Sequence, residues 1–411
     1  MPGVAAVVRR WAADGNRLPR SPVFEGGFGH SAEPRKPRRK AGLGEHNGQG
    51  GALVPLTVWE RDGDEPGARE DEPVSYRGGR RGGRRLGAWL AGLLLLGVSV
   101  VVGCRIADTD GISPVPQLLA FLPWLLAPTG AALLFAALAR WRTGLVWGVV
   151  ALGALAWFIE PYGQATQARG TPVAELRVMT SNVEFGQATP SLIAAVKRER
   201  PDVVFVEECD HGCSSALTEE FGDDGAPSDA LEATGDYPYR RAVEGYGSEG
   251  SVILSRYPLA SAGGVPGTMG MPGAVADVKG HPVRLQLAHP MPPLPRQVGT
   301  WRRELGALRD FAAESRGGAT ILAGDFNASQ DHAAFRRILD TGLRDSARLA
   351  GASRTPTWPA RTSPRFGVQI DHVLVSEEFS VRSVRFLDLA ATDHRAVLAD
   401  LTLHRRGGTG S

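Results

Sequence analysis

Residues 319–327 read Ala-Thr-Ile-Leu-Ala-Gly-Asp-Phe-Asn. An apolar run, Ala319–Leu322, follows the turn pair Gly317-Gly318 and ends in Gly324-Asp325-Phe326-Asn327. The run predicts a buried strand, and an acid and an amide stand where it ends. The same arrangement recurs along residues 172–404. Asn182 ends ELRVMTSN and Glu184 follows it, Glu207 and Glu208 follow VVFV, and His289 follows LQLA. Asp371 and His372 interrupt IDHVLVS, and Asp393-His394 precede the last apolar run. One acid at a strand end is ordinary turn chemistry. Repeated acids, amides and histidines at strand ends mark a site, because α/β domains place their sites in those loops.

The elements between these ends alternate. Glu175–Asn182 predicts a strand; Thr189 is expected to cap a helix that has Pro190 at its first position and Leu192, Ile193 and Val196 on its apolar face. Pro201 ends that helix and Val203–Val206 predicts a buried strand. Val252–Leu254 is another short apolar run. Val283, Leu285 and Leu287 alternate with Arg284 and Gln286, as in a half-exposed strand. Trp301–Ser315 reads as helix, and Gln369–Val375 and Val397–Leu403 as late strands. The expected architecture is one α/β (α+β) domain with a single large core.

The segments VMTSNVE, PDVVFVEE, GSVILSRYPL, the His289 strand, GDFN, QIDHVLVS and TDHRAVLADL occur in the order found in the endonuclease/exonuclease/phosphatase superfamily, which residues 172–404 resemble. The resemblance implies a four-layer sandwich of two mixed β-sheets flanked by helices. It also implies Mg²⁺-dependent hydrolysis of a phosphate ester or anhydride, with Mn²⁺ as a substitute ion. By position it implies that Asn182 contacts the phosphate or orients its ligands, that Glu208 is the main metal carboxylate, and that Glu184 and Asp393 support the metal. Asp325 would polarise the attacking water and Asn327 orient it. Asp371 would pair with His394 against a phosphate oxygen, and His289 would stand near the leaving group. The chemistry agrees: a phosphoryl centre needs charge neutralisation and a positioned nucleophile, and a hard cation takes oxygen ligands. Many relatives have Gln-Glu where this chain has Glu207-Glu208, and Thr392 stands where Ser is common. His211, His281, His332 and His404 lack motif support and read as surface histidines. Glu219, Glu220, Asp223 and Asp224 read as a solvated loop.

The 411 residues hold three more regions. Residues 1–85 are rich in Gly, Pro, Arg and acids without apolar period, and are expected to be disordered. Residues 405–411 form a similar short tail. Residues 86–160 contain three uncharged runs, about 86–104, 115–139 and 143–159, predicting three membrane-spanning helices. Arg77, Arg80, Arg81, Arg84 and Arg85 before the first run predict a cytoplasmic N-terminus. Three crossings then place the catalytic domain outside the cell; two would leave it inside.

Net charge is +2, but the basic excess lies in the first 171 residues and residues 172–411 are net acidic. That balance argues against a duplex-gripping nuclease, although Arg302, Arg303, Arg336 and Arg337 could supply a local patch; exposed helix faces are the plainer reading. Three cysteines exclude a disulfide scaffold and a four-cysteine zinc site. Cys209 and Cys213 could pair outside the cell or remain free thiols. The topology, His289-Pro290-Met291-Pro292-Pro293, Trp301 and Thr357-Trp358-Pro359 resemble VanJ-type teicoplanin-resistance membrane proteins. That resemblance implies a lipid pyrophosphate of cell-wall synthesis as substrate. An extracellular nuclease, a sphingomyelinase-like phosphodiesterase and a non-catalytic headgroup-binding module are the competing expectations.

Overall fold

A computed structural model of the chain describes residues 78–168, 170–222 and 235–405. Most of the tail expected over residues 1–85, the pair Asp223 and Asp224, and residues 406–411 lie outside the described residues.

Twelve strands are described: β1 (Pro172–Asn182), β2 (Val203–Glu207), β3 (Tyr239–Val243), β4 (Ser251–Ser255), β5 (Leu259–Ala262), β6 (Gly273–Val278), β7 (His281–Ala288), β8 (Thr320–Asp325), β9 (Arg344–Asp345), β10 (Asp371–Val375), β11 (Phe379–Asp388) and β12 (Arg395–His404). They form two six-stranded sheets, ordered β11-β12-β1-β2-β4-β3 and β5-β6-β7-β8-β10-β9. Alternation along β1 explains the layering. Leu176 and Val178 face the second sheet, meeting Phe205, Leu285, Ile321, Val373 and Val397 in the central core. Met179 points the other way, onto Leu192, Val196 and Leu217 of the helices Thr189–Glu199 and His211–Phe221. The helices Val298–Glu314 and Ala333–Leu339 cover the second sheet through Trp301, Leu305, Phe335 and Ile338. The result is helix, sheet, sheet, helix.

The register gathers the strand ends. Asn182 ending β1 is level with Glu207 ending its parallel neighbour β2. Asp325 ending β8 lies opposite Asp371, which begins antiparallel β10. β12 runs antiparallel to β1, so the Asp393-His394 turn before it returns to the same edge.

Local expectations need correction. Thr189 is the first helical residue and caps nothing; its hydroxyl donates to the Gly186 carbonyl. The second half of β7 is fully buried, Gln286 included, because its amide donates to the Met271, Pro272 and Leu287 carbonyls. Glu219 and Glu220 belong to the helix His211–Phe221, where Glu220 pairs with Lys197. His332 is buried: its Nδ1 accepts from the Ser329 amide, so Nε2 carries the proton and donates to the Pro116 carbonyl at 2.8 Å. Burial lowers its pKa, keeping it neutral. Arg336 is also buried, and pairs with Asp108.

Before β1 the chain forms the helices Gly78–Ile106, Val115–Ala120, Leu126–Ala139 and Arg142–Ile159, with a 3₁₀ turn at Leu122–Leu125. The first begins at Gly78, inside the segment expected to lack structure, and the second expected run is broken at Phe121 rather than continuous. Among the described residues, three helices are long and apolar enough to cross a membrane by length and composition: Gly82–Ile106, Leu122–Ala139 and Arg142–Ile159. They pack through Leu95, Leu119, Leu122, Ala132 and Leu155, while Leu93, Leu96, Leu138, Val150 and Trp157 are exposed.

Polar contacts fasten one end of this helical unit to the domain. The Asp110 carboxylate accepts from the Ala333 and Ala334 amides at 2.6 and 3.1 Å, filling the N-terminus of the helix Ala333–Leu339. Asp108 pairs with Arg336 and Arg337. Burial works to raise the Asp108 carboxyl, but the Arg336 hydrogen bond and neighbouring guanidinium charges outweigh it and hold the pKa below normal. Arg354 donates to the Phe158 and Ile159 carbonyls ending the last apolar helix, and makes two hydrogen bonds to Asp331 at 2.6 and 2.9 Å.

Candidate active site

Asn182 links the two sheets. Its amide nitrogen donates to Glu208 Oε1 at 3.1 Å and to Asp325 Oδ2 at 3.2 Å, while its oxygen accepts from the Glu184 amide. Past the end of β2, Glu208 adopts φ 58°, and its other oxygen accepts from the Phe185 amide. Glu207 is held beneath this cluster. It is fully buried and accepts from the Thr180 hydroxyl at 2.8 Å. Burial first, then the charges of Asp371 and Asp325, push its carboxyl well above the usual range. Thus Glu208, not Glu207, joins the cluster. Beside it Cys209 and Cys213 form a disulfide with Cα atoms 5.2 Å apart; Asp210 caps the intervening helix start.

Asp325 ends β8 with Oδ1 accepting from the Asn327 amide at 2.8 Å. Gly324 is required before it: φ is +149°, and a Cβ would lie 2.0 Å from the Ala288 carbonyl oxygen. Asn327, at φ 47°, donates to the Pro290 carbonyl. Asp325 is buried, and that burial pushes its carboxyl up to about 7.

His394 Nδ1 lies 3.0 Å from Asp371 Oδ2. Its Nε2 lies 3.8 Å from Asp325 and 3.7 Å from Asp393. Burial disfavours charge on the imidazole, but Asp371, then Asp325, outweigh it and raise its pKa well above normal. Thr392 fixes the turn, donating to the Asn182 carbonyl and accepting from the His394 amide. Asp393 accepts from the Trp358 indole at 2.8 Å. Glu184 neighbours Asp393; burial first and that negative charge second raise its carboxyl. His289 is 1% exposed, 3.8 Å from Glu208, and neither ring nitrogen has a hydrogen-bond partner among the described residues. Burial drives its pKa down to about 3, so the imidazole is neutral. His372, in contrast, is tied within the strand layer to Asp345 and the Ala328 carbonyl.

All nine residues singled out in the sequence therefore stand together at one end of the two sheets. The structure adds Trp358 as a partner of Asp393. The only sequence signal for it was its place in Thr357-Trp358-Pro359, whose contacts no local pattern announces.

The profile of the Endonuclease/Exonuclease/phosphatase family matches residues 179–394. The chain belongs to this family. Its members are metal-dependent hydrolases acting on phosphate esters or anhydrides, and this protein is such an enzyme. Similar folds occur in humanized D. rerio TDP2 (15% identity, TM-score 0.45, covering 55% of this chain and 98% of that one). They occur also in an endonuclease/exonuclease/phosphatase from Beutenbergia cavernae (21%, 0.39, 56% and 72%) and a family protein from Bacteroides thetaiotaomicron (14%, 0.41, 57% and 99%). No curated protein matches the chain significantly.

The donor set fits a divalent cation of the kind this family uses. Asp325, Asp371 and His394 form a compact buried group whose potential ligand atoms lie within 4.8 Å of one another. His394, however, is engaged by Asp371 and favoured as imidazolium, a poor metal ligand. The carboxylates Glu208, Asp393 and Glu184 offer hard oxygens without that conflict.

Proposed function

We propose that the protein is a membrane-anchored, Mg²⁺-dependent phosphohydrolase whose substrate phosphate sits at the membrane surface, on a lipid pyrophosphate or phosphodiester. The observation carrying this reading is that the apolar helical unit lines a recess that ends at one residue of the site. A narrow apolar recess lined by Pro116, Phe121, Pro293, Trp358 and Ile370 reaches Asn327. The VanJ-type resemblance points the same way and suggests undecaprenyl pyrophosphate.

Bound at Glu208, with Asp393 and Glu184 beside it, the cation would supply charge neutralisation and phosphate polarisation. Asp325 accepts the proton of the attacking water, which Asn327 orients. As the water oxygen bonds to phosphorus, the bond to the leaving oxygen breaks. His394, held by Asp371, balances charge on a non-bridging oxygen, and Asn182 supports the phosphate. His289, whose Nε2 lies 3.8 Å from Glu208, would stand on the leaving side. When a lipid pyrophosphate is cleaved the leaving group is the lipid monophosphate, an anion that needs no proton donor.

Three apolar helices, the arginine-rich stretch before them and the Cys209–Cys213 disulfide all favour an external catalytic domain. Three of the four arginines of the nuclease reading's basic patch are engaged within the protein: Arg336 and Arg337 bind Asp108, and Arg302 donates to the Gly111 carbonyl, while Arg303 meets only the Thr300 hydroxyl.

Full-length protein in lipid nanodiscs, given undecaprenyl pyrophosphate or supercoiled plasmid, tests this. Mg²⁺-dependent phosphate release without nicking is expected, abolished by EDTA and restored by Mg²⁺. Nicking without phosphate release would establish a nuclease instead.

The pH profile should carry the mark of Asp325. A base with a raised pKa is protonated and inactive below that pKa, so activity should rise with pH. Cation charge opposes protonation, so the acid limb should move to lower pH as Mg²⁺ increases. Rate–pH profiles at several Mg²⁺ concentrations check this; a limb fixed at every concentration would contradict it.

A further inference from the structure

Asp393 is held by a loop that the helical unit in turn clamps. The indole Nε1 of Trp358 donates to Asp393 Oδ2 at 2.8 Å, and the Ala360 amide donates to the Asp393 carbonyl at 2.6 Å. The loop backbone is pinned by paired hydrogen bonds between Trp358 and Val368 at 3.0 and 2.7 Å. On its other side it meets aromatic residues of the apolar unit. Phe121 stacks on Phe366 with centroids 5.3 Å apart and stands edge-on to Trp358 at 6.4 Å. Trp124 packs on Phe366 at 4.6 Å and donates its indole N–H to the Gly367 carbonyl. Phe121 is only 4% exposed, at the break between Val115–Ala120 and the 3₁₀ turn.

A carboxylate offers two equivalent oxygens, and free rotation would let either approach a cation. An indole N–H donates only and cannot reverse its role. With Oδ2 occupied by Trp358, Oδ1 is the oxygen left on the His394 side, 3.7 Å from Nε2.

We infer that Trp358 is a positioning residue that fixes which oxygen of Asp393 faces the cation, and that Phe121 of the apolar helical unit holds Trp358 in that pose. The divalent-cation site is then complete only while the membrane-type helices are docked on the domain. This rests on the reading of Asp393 as a cation carboxylate.

Mn²⁺ binding to the full chain in detergent, read from the loss of the free-ion electron paramagnetic resonance signal, tests it without turnover. Trp358→Phe keeps an aromatic ring and removes the donor; Mn²⁺ affinity should fall about 10-fold, as when partners of metal ligands are removed. Asp393→Asn should weaken binding at least as much. The double variant should be no weaker than Asp393→Asn alone. Phe121→Ala should weaken binding several-fold and add nothing to Trp358→Phe; if that variant does not fold, Phe121→Leu takes its place with a smaller loss. Unchanged affinity in Trp358→Phe, or independent losses in the double variant, would overturn the role of Trp358. Unchanged affinity in the folded Phe121 variant would overturn the link to the helices. Wild-type affinity in Asp393→Asn would remove the underlying site reading, a result distinguishable from either.

Discussion

Asp325→Asn should lower kcat by about 10³- to 10⁴-fold, the range general base catalysis supplies. The amide keeps the shape of the carboxyl, but its single oxygen can accept from only one of the two donors that Asp325 meets, the Asn327 amide and the Asn182 side chain, and it cannot take a proton from water. His394→Ala should cost a comparable factor, because it removes the positive group that Asp371 holds 3.8 Å from Asp325. In the proposed mechanism the two residues serve one transition state, so the double variant should be little worse than either single one. Stability should move the other way for Asp325→Asn. A buried carboxyl whose pKa is raised disfavours its own ionised form in the fold, and a neutral amide does not. Phosphate release and thermal unfolding, measured together, check both expectations. Activity within 10-fold of wild type in both single variants would remove these residues from the site.

The second large effect is structural. Asp331→Ala should destabilise the folded protein by about 3–5 kcal/mol, the cost of breaking a buried ion pair from one side. The Asp331 side chain has no exposed surface and accepts two hydrogen bonds from Arg354. Arg105 stands 3.9 Å away, and Arg336 donates to the Asp331 carbonyl. Without the carboxylate, guanidinium groups would face one another with little counter-charge. Arg354 also holds the last carbonyls of the helix Arg142–Ile159, so the loss should loosen that helix end and the following residues 160–168. Thermal unfolding in detergent and proteolysis of that stretch are the measurements. A change of under 1 kcal/mol, with the stretch still protected, would show that the ion pair is not what fastens the helices.

Much of the catalytic layer was legible because strands that end in chemistry-bearing residues are local patterns. VVFVEE and ILAGDFN each carry their strand and its site residue within a few positions. The edge strands were harder. β3 and β5 are short and half exposed, and β11 alternates irregularly around a bulge between Val381 and Ser383. What local patterns could not reveal was pairing between distant charges. His332, Arg336 and Asp110 look like surface residues because each is polar and near a helix end. Their burial comes from partners more than 200 residues away. The disulfide was left open because two cysteines four apart in a regular helix stand near the bridging limit. The chain resolves this by placing Cys209 ahead of the helix that contains Cys213.

Four residues flanking the site, Glu184, Phe185, Glu208 and Asn327, have left-handed backbones although none is glycine. Such conformations cost of order 1–3 kcal/mol each and persist only where surrounding contacts impose them. Here the contacts are the amide-to-carboxylate bonds among Asn182, Glu208, Asp325 and their neighbours. The conformational work of shaping the loops is therefore done during folding, before any ligand arrives. Binding then requires little loop ordering, and the enzyme should meet its cation and phosphate more as a rigid mould than as a closing hand.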